Sequence, residues 1–260
     1  MTGGRSVDPR RRWLKPWTPG AHTADLRLFC FHYAGGSAAM FRGWPDWLPP
    51  SVGVVGVQLP GRADRFREPP YVSMARLVED LAEVLRPLLA APYACAGVSM
   101  GARVAWALTH QLWAQGHPLP RALYVAASGA PQRDDGDWRW EGRADGLEGY
   151  VREMGGTPAE VLAEPALLAA LLPTLQADLT VLSTHDRRPT EPLPVPVRAF
   201  AGRTDDEAGP DQMAAWQEET SAGWALEVLD CGHFFDGAAE QRLVATIGAE
   251  LAPAAARAGA

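Results

Sequence analysis

A serine flanked by two glycines stands near the middle of the chain. Gly97, Ser99 and Gly101 match the pattern Gly-x-Ser-x-Gly, which places a serine hydroxyl on a sharp turn between a strand and a helix. Glycine has no Cβ, so the chain can pass tightly on both sides of the serine. An apolar run over 93–96 precedes the motif and a helical stretch over 102–115 follows it. We therefore interpret Ser99 as the nucleophile of an acyl-transfer reaction, with an ordinary strand-to-helix turn as the alternative interpretation.

A serine hydroxyl needs a neighbouring base, and the base needs a carboxylate that orients it. Of the six histidines, His233 follows the last predicted strand and precedes the last predicted helix, where the chain order Ser, Asp, His places the base. Asp205 follows an earlier predicted strand and is our choice for the acid. Asp206 is its rival, because spacing does not separate neighbouring turn residues. Asp230 is a weaker candidate, because it shares a strand end with the histidine, and any of the three could simply cap a turn.

Acyl transfer also requires two backbone N–H groups that stabilise the oxyanion of the tetrahedral intermediate. One of them belongs to Met100, directly after the serine. The glycine-rich stretch 31–37 follows an early predicted strand and is suitably placed for the second donor, which we assign to Ala34 with Tyr33 as the alternative. A tight turn that needs glycine for its dihedral angles is another interpretation of this loop. The two interpretations are compatible.

Strands and helices alternate along the chain around these residues. Short apolar runs bounded by glycine or proline predict strands, and apolar residues three and four positions apart predict helices. Because such alternation implies parallel strands joined by crossover helices, the predicted fold class is α/β, with a sheet covered on both faces. The predicted strands are 26–32, 52–58, 93–97, 123–127, 197–201 and 225–229, and the predicted helices are 74–88, 102–115, 211–220 and 238–251.

The stretch 142–185 breaks the alternation. It is rich in Leu and Ala, helical in its spacing, and contains no convincing strand. Ligands of open α/β sheets bind beyond the carboxyl ends of the strands, so we expect this stretch to be a helical lid over that edge. Residues 1–24 and 253–260 lack periodicity and are predicted to be flexible arms around a single domain over 25–252.

Composition excludes several classes of protein. The net charge is −7 and the only basic run is 10–12, whereas nucleic-acid binding needs a clustered positive face. No stretch reaches the roughly 20 apolar residues of a membrane span, and the first residues lack the apolar core of a signal peptide. We expect a cytoplasmic protein without nucleic-acid or membrane partners. Cys30, Cys95 and Cys231 are too few and too scattered for a zinc site or a disulfide framework, so no metal is expected.

Six phrases in order resemble one family, the free-standing type II thioesterases of polyketide and non-ribosomal peptide biosynthesis, within the α/β-hydrolase superfamily. The resemblance extends from about residue 26 to residue 251. The phrases are FCFHYAGGSA at 29–38, VQLPGRADRFREPP at 57–70, GVSMGARVAW at 97–106, MGGTPAEVLAEP at 154–165 with LLPTLQAD at 171–178, AFAGRTDDE at 199–207 and DCGHFFDG at 230–237.

The resemblance implies an α/β-hydrolase fold and hydrolysis of acyl groups held as thioesters on the phosphopantetheine arms of acyl or peptidyl carrier proteins. Such hydrolysis clears stalled or wrongly loaded chains, and it needs no cofactor of the enzyme's own. Carried over residue by residue, the family's triad falls on Ser99, Asp205 and His233, and its oxyanion donors fall on Ala34 and Met100.

The chain departs from the family at three positions. Val98 stands where the family usually has His, His32 where it often has Pro, and His185 where it commonly has Tyr. Other functions would use the same residues: a general carboxylester or acyl-CoA hydrolase, or a cyclising thioesterase. A catalytically silent scaffold that binds a partner is a further alternative, although a silent descendant would be free to lose its serine, histidine or acid, and this chain has all three.

Overall fold

Seven strands form one sheet in the order β1-β3-β2-β4-β5-β6-β7. Neighbouring strands are parallel, except that β1 runs antiparallel to β3. The computed structural model describes residues 10–133, 140, 143–185 and 191–258. Its strands are β1 Leu14–Pro16, β2 Leu26–Phe31, β3 Val52–Val57, β4 Tyr93–Val98, β5 Leu123–Ala126, β6 Val197–Gly202 and β7 Trp224–Leu229.

Helices connect these strands and cover the sheet. The six predicted strands lie within one residue of the observed ones, and the predicted α/β class is confirmed. The predicted helix over 211–220 is α-helical only in its first half and continues as a 3₁₀ helix, Ala215–Glu219. The helices are α1 Arg10–Trp13, α2 Met74–Leu85, α3 Met100–Ala114, α4 Gly146–Met154, α5 Ala159–Ala163, α6 Pro165–Ser183, α7 Pro210–Ala214 and α8 Gly237–Ala258.

Apolar side chains fill both faces of the sheet. Alternate residues of a strand point to opposite faces, and Phe29 and Leu28 accordingly belong to two separate cores. The core that contains Phe29 is closed by α2 and α3, and the core that contains Leu28 is closed by α8. Burial on both faces explains why the central strands are almost continuously apolar in the sequence.

The predicted arm over 1–24 is wrong for its described part, because β1 joins the sheet as an edge strand. The Leu14 side chain is only 3% exposed. The Trp17 backbone N–H donates to the Val54 carbonyl oxygen at 2.9 Å. A three-residue strand that ends in Pro16 has no periodicity to detect, and an edge strand tolerates proline because one of its sides needs no partner. Residues 1–9 lie outside the described part.

The predicted C-terminal arm from residue 253 is likewise wrong up to residue 258, because α8 continues to Ala258. Pro253 suggested an end to the helix, but alanine, the residue that dominates this segment, has the highest helix propensity. The last two residues lie outside the described part.

Three helices, α4 to α6, lie between β5 and β6, where the stretch 142–185 was predicted to be helical. They share a small apolar cluster that includes Val151, Leu168 and Leu179. Residue 142 is outside the described part. Of the described helices, α6 alone has a length and a mean hydropathy, 1.5, that would suit a membrane crossing, and 39% of it is buried within the protein.

Candidate active site

The predicted site residues follow strands that end at the same edge of the sheet. Phe31 at the end of β2 lies opposite Gly97 in β4, and Gly202 at the end of β6 lies opposite Leu229 at the end of β7. The turns after these strands carry the loop 32–37, the serine, the acid and the histidine. Parallel pairing thus brings together groups from four distant parts of the sequence.

Ser99 occupies a strained turn between β4 and α3. Its dihedral angles are φ 53° and ψ −119°, a region that residues with a Cβ rarely adopt, at a typical cost of about 1–3 kcal/mol. A Cβ at Gly97 would overlap with the backbone of Gly101, and a Cβ at Gly101 would overlap with the carbonyl oxygen of Phe31. Close backbone contact therefore requires both glycines of the motif. This contact packs the start of α3 against the sheet, so the Ser99 hydroxyl lies at the edge of the sheet.

A chain of hydrogen bonds runs from the serine to the acid. The Ser99 Oγ lies 3.2 Å from the His233 Nε2. On the other side of the ring, the His233 Nδ1 lies 3.0 Å from the Asp205 Oδ2 and 3.2 Å from its Oδ1. The Asp205 Oδ1 also accepts the backbone N–H groups of Glu207 and Ala208, each at 2.9 Å. A carboxylate fixed in this way holds the Nδ1 proton, so the Nε2 lone pair faces the serine hydroxyl.

The electrostatics of Asp205 and His233 favour a charged imidazole next to a carboxylate. Burial by itself raises the pKa of Asp205, but the hydrogen bond and charge of His233, with the two backbone N–H groups, lower it by more. Burial by itself lowers the pKa of His233, but the hydrogen bond and charge of Asp205 and the charge of Glu207 raise it by more. The imidazolium that forms when the serine loses its proton is thereby stabilised.

Of the three candidate acids, Asp205 is the one in contact with the histidine. Asp206 is exposed. The Asp230 side chain is 85% exposed and pairs with Arg203 at 2.6 Å. The structure therefore separates three residues that spacing alone left open.

Both predicted oxyanion donors lie on the cavity that contains Ser99. Met100 is the first residue of α3, and the first N–H groups of a helix have no partner within it. In the loop after β2, the Gly35 N–H donates to the Asp178 Oδ2 at 2.7 Å and the Gly36 N–H to the Tyr33 carbonyl oxygen at 3.0 Å. No hydrogen bond of the described residues uses the Ala34 N–H. The alternative donor, Tyr33, lines the same cavity.

The cavity has a volume of about 820 Å³, and the inserted helices form much of its wall. Most of its large aliphatic side chains come from α4, α5 and α6, and the serine lines the same cavity. This apolar wall suits the hydrocarbon part of an acyl group. The aliphatic lining residues of the insertion are Val151, Met154, Val161, Leu171, Leu175, Leu179 and Leu182.

Two residues to which the sequence analysis gave no role, Gly156 and Phe234, bring the insertion close to the histidine. A Cβ at Gly156 would overlap with the ring of Phe234. The Phe234 ring in turn packs edge-on against His233, with centroids 5.2 Å apart. The paired glycines between α4 and α5 were a detectable signal, but only the fold shows what they approach.

Among the described residues, no group of three His, Cys, Asp or Glu side chains is arranged to hold a metal ion. Cys30 and Cys95 are buried and Cys231 is half-buried, all three as free thiols.

The mostly parallel sheet, the serine at the β4–α3 turn and the histidine after the last strand define the class of this protein as an α/β-hydrolase. The model of the thioesterase domain family matches residues 26–251. The chain belongs to this thioesterase family, whose members are hydrolases that act on thioesters.

Two solved structures and one curated protein illustrate the relationship. RedJ, a thioesterase from the prodiginine biosynthetic pathway in Streptomyces coelicolor, is 36% identical with a TM-score of 0.84, and the match covers 96% of each chain. BorB, the type II thioesterase from the borrelidin biosynthetic cluster, is 30% identical with a TM-score of 0.78, covering 97% of this chain and 100% of BorB. The linear gramicidin dehydrogenase LgrE of Brevibacillus parabrevis is 36% identical over 250 residues, 94% of each chain.

The activity in the name of LgrE has no counterpart in the motifs of this chain. The dinucleotide-binding fingerprint of the Rossmann fold has the spacing Gly-x-Gly-x-x-Gly after a strand. No two glycines of this sequence are separated by a single residue. The glycines at the end of β4 and the start of α3 instead flank a serine.

Proposed function

We propose that this protein is an editing, type II thioesterase. It hydrolyses acyl groups from the phosphopantetheine arms of acyl or peptidyl carrier proteins in polyketide or non-ribosomal peptide biosynthesis. The observation that carries the proposal is the hydrogen-bonded series of Ser99, His233 and Asp205, which opens into a cavity with an aliphatic wall. Its similarity to thioesterases of such pathways supports the carrier-bound substrate.

In the first half-reaction, the Ser99 Oγ attacks the thioester carbonyl carbon while the His233 Nε2 takes the hydroxyl proton. Asp205 orients the ring and stabilises its positive charge. The carbonyl oxygen becomes an oxyanion, which accepts hydrogen bonds from the backbone N–H groups of Ala34 and Met100. The intermediate then collapses: the carbon–sulfur bond breaks, the sulfur takes the proton from His233, and the acyl group stays on Ser99 as an ester.

In the second half-reaction, water replaces the thiol. His233 takes a proton from the water as it attacks the ester carbonyl, and the same two N–H groups stabilise the second oxyanion. Collapse returns the proton to the Ser99 Oγ and releases the free acid. The thiolate is a good leaving group, so the first half-reaction needs less acid assistance than cleavage of an amide.

The inserted helices α4 to α6 act in this proposal as a lid. Their aliphatic side chains contact the acyl chain, while the phosphopantetheine arm enters from the carrier protein. Because the chain carries a net charge of −7 and carrier proteins are typically acidic, attraction between the whole molecules does not favour docking, so local arginine side chains are expected to form the contacts. We place this reaction in the cytoplasm.

A comparison of substrates that carry one and the same acyl group tests the proposal. The acyl group is presented on a carrier protein, on coenzyme A, on N-acetylcysteamine and as a p-nitrophenyl ester, and kcat/KM is measured for each. Editing predicts that the carrier-bound thioester has the highest kcat/KM. Equal values for the carrier-bound and the N-acetylcysteamine thioester would instead favour a general carboxylester or acyl-CoA hydrolase. Analysis of the product by mass spectrometry separates hydrolysis from cyclisation.

A further inference from the structure

A buried ion pair connects the insertion to the loop after β3. The Arg62 Nη1 and Nη2 donate to the two oxygens of Asp178, in the C-terminal half of α6, at 2.6 Å and 2.7 Å. The Arg62 and Asp178 side chains are only 6% and 2% exposed. Burial of an ion pair costs about as much free energy as the attraction returns. A gain in stability therefore explains this buried pair poorly, and its other hydrogen bonds point to a different role.

Those contacts hold the loop that carries the oxyanion donor. The Asp178 Oδ2 also accepts the Gly35 backbone N–H at 2.7 Å, and the Arg62 Nη1 also donates to the Gly36 carbonyl oxygen at 3.3 Å. Gly35 has a φ of +75°, and a Cβ there would touch Leu175 of α6 at 3.4 Å. The two residues that follow Ala34 are thus fixed from both sides by one ion pair.

We propose that Asp178 is a positioning residue for the oxyanion hole. By accepting the Gly35 N–H, it fixes the peptide plane between Ala34 and Gly35, and Arg62 holds Asp178 in place. The Ala34 N–H lies in the preceding peptide plane, whose Tyr33 carbonyl oxygen accepts the Gly36 N–H. With both planes held, the Ala34 N–H stays directed at the position that the oxyanion will occupy, without rearrangement during the reaction. The inference rests on the proposed serine mechanism.

The chain offers a matched control one turn earlier in α6. The Thr174 Oγ1 donates to the Gly61 carbonyl oxygen at 2.8 Å. This bond ties the same helix to the same loop after β3, but it does not touch the loop after β2. Thr174→Val therefore removes a buried tether of the insertion and leaves the contact to Gly35 in place.

Two double variants separate positioning from a structural role. The amide variant, Arg62→Gln with Asp178→Asn, removes both charges and leaves an amide oxygen that can accept the Gly35 N–H. The acceptor-free variant, Arg62→Met with Asp178→Leu, removes both charges and leaves no acceptor. Neither combination leaves a single buried charge without a partner, which is the change that would threaten folding most.

The measurements are kcat and KM on an acyl-N-acetylcysteamine thioester, and the inhibition constant of a trifluoromethyl ketone that forms a tetrahedral adduct with Ser99. The acceptor-free variant is expected to have a kcat about 100-fold lower than the wild type, the scale of one oxyanion donor. We expect it to bind the ketone more weakly by a similar factor while KM changes little. The amide variant should retain most of the wild-type kcat, and Thr174→Val should retain nearly all of it.

The inference is overturned if the acceptor-free variant keeps the wild-type kcat, or if Thr174→Val lowers kcat as much. If the acceptor-free variant does not fold, hydrogen exchange of the Gly35 amide in the wild-type protein decides. Slow exchange supports the bond to Asp178, and exchange as fast as in an open loop refutes it. Failure of the editing function would leave this result intact, because the assay uses no carrier protein, whereas hydrolysis by Ser99→Ala would refute the serine mechanism itself.

Discussion

The carboxyl-terminal edge of the sheet, where the catalytic turns lie, and the inserted helices α4 to α6 are built in different ways. At the edge, backbone packs directly on backbone: a Cβ at Gly101 would overlap with Phe31, and a Cβ at Gly202 would overlap with Gly232. In the insertion, contacts are made by side chains: α4 to α6 share a small apolar cluster of their own, α6 reaches the main core through Val181, and α5 has no buried residue. Close backbone contact leaves little freedom to move, and sparse side-chain contact leaves more. We infer that the edge carries the reacting groups, that Asp178 of the insertion helps to position one of them, and that the aliphatic wall of the insertion determines which acyl group is accepted.

The largest predicted effect is at the edge. Ser99→Ala should lower kcat by about 10⁶-fold, as removal of a triad serine does elsewhere, because no other hydroxyl of the described residues is hydrogen-bonded to His233. The thermal midpoint should stay close to that of the wild type, since the half-buried serine adds little to the core. Circular dichroism during heating checks the fold, and a thioester assay checks the activity. Substantial turnover by the folded variant would refute the assignment.

The next effect distinguishes neighbouring acids. Asp205→Asn should lower kcat by about 10⁴-fold, because the amide no longer holds the Nδ1 proton of the histidine. Asp206→Asn is the matched control and should change kcat little, because its side chain is exposed. Both variants are assayed on the same thioester. Equal losses, or the larger loss at Asp206, would contradict the geometry of the site.

Glycine substitutions compare the two regions by stability. Gly101→Ala should lower the free energy of unfolding by about 3 kcal/mol or more, because its Cβ would overlap with backbone atoms that cannot move aside. Gly155→Ala, after α4, should cost only about 1–2 kcal/mol, the penalty for its positive φ, since its Cβ meets no atom closer than 4.0 Å. Urea denaturation measures both. Similar costs would mean that the edge is no more rigid than the insertion.

The pH dependence reports on the edge as well. The reaction needs neutral His233, and the charges of Asp205 and Glu207 hold its pKa above the ordinary value. The acidic limb of kcat/KM should therefore have its midpoint above about 6.5, with a tenfold loss per pH unit below it. Glu207→Gln removes one of the two charges and should move the limb to lower pH. A midpoint below about 6.5, the ordinary pKa of a histidine side chain, would contradict the electrostatics.

The raised pKa of His233 also makes the free energy of unfolding depend on pH. A raised pKa means that the folded state binds the proton more tightly than the unfolded chain does. The stabilisation by His233 is therefore complete below its unfolded pKa and is lost as the pH rises through the folded pKa. His233→Ala should remove this part of the pH dependence of the unfolding free energy.

The smallest effect lies in the insertion. Leu171→Phe adds volume to the aliphatic wall of the cavity. It should lower kcat/KM for long acyl chains by about tenfold relative to short ones, the usual effect of a small change in an apolar pocket. The rate at which a small fluorophosphonate labels Ser99 should not change. Equal losses for all chain lengths would mean that the aliphatic wall of the cavity does not select among acyl groups.

Local patterns in the sequence predicted the central strands, the serine turn and the helical insertion. The central strands are continuous apolar runs and Ser99 lies in a five-residue motif, so both could be predicted without knowing what packs against them. The helical character of the insertion was predicted from spacing in the same way. Each of these features depends on neighbours in sequence.

Features that depend on distant residues could not be settled by local spacing alone. The edge strand β1 exists because Leu14 pairs with Val57, and its three residues carry no pattern of their own. Asp205 was chosen for the acid, but spacing did not separate it from Asp206, and the turn after β6 shows that Asp205 is the one that contacts His233. Arg62 and Asp178 stood in phrases that identified the family, but nothing local indicated that their side chains meet.

The most direct test of the account is to find where the acyl group goes. The wild-type protein is mixed with an acyl-carrier protein, quenched in acid within milliseconds, digested and examined by mass spectrometry. The account predicts an acyl mass on the peptide that contains Ser99, together with a carrier protein whose phosphopantetheine thiol is free. An acyl group on any other residue, or a free thiol and free acid produced equally well by Ser99→Ala, would contradict it.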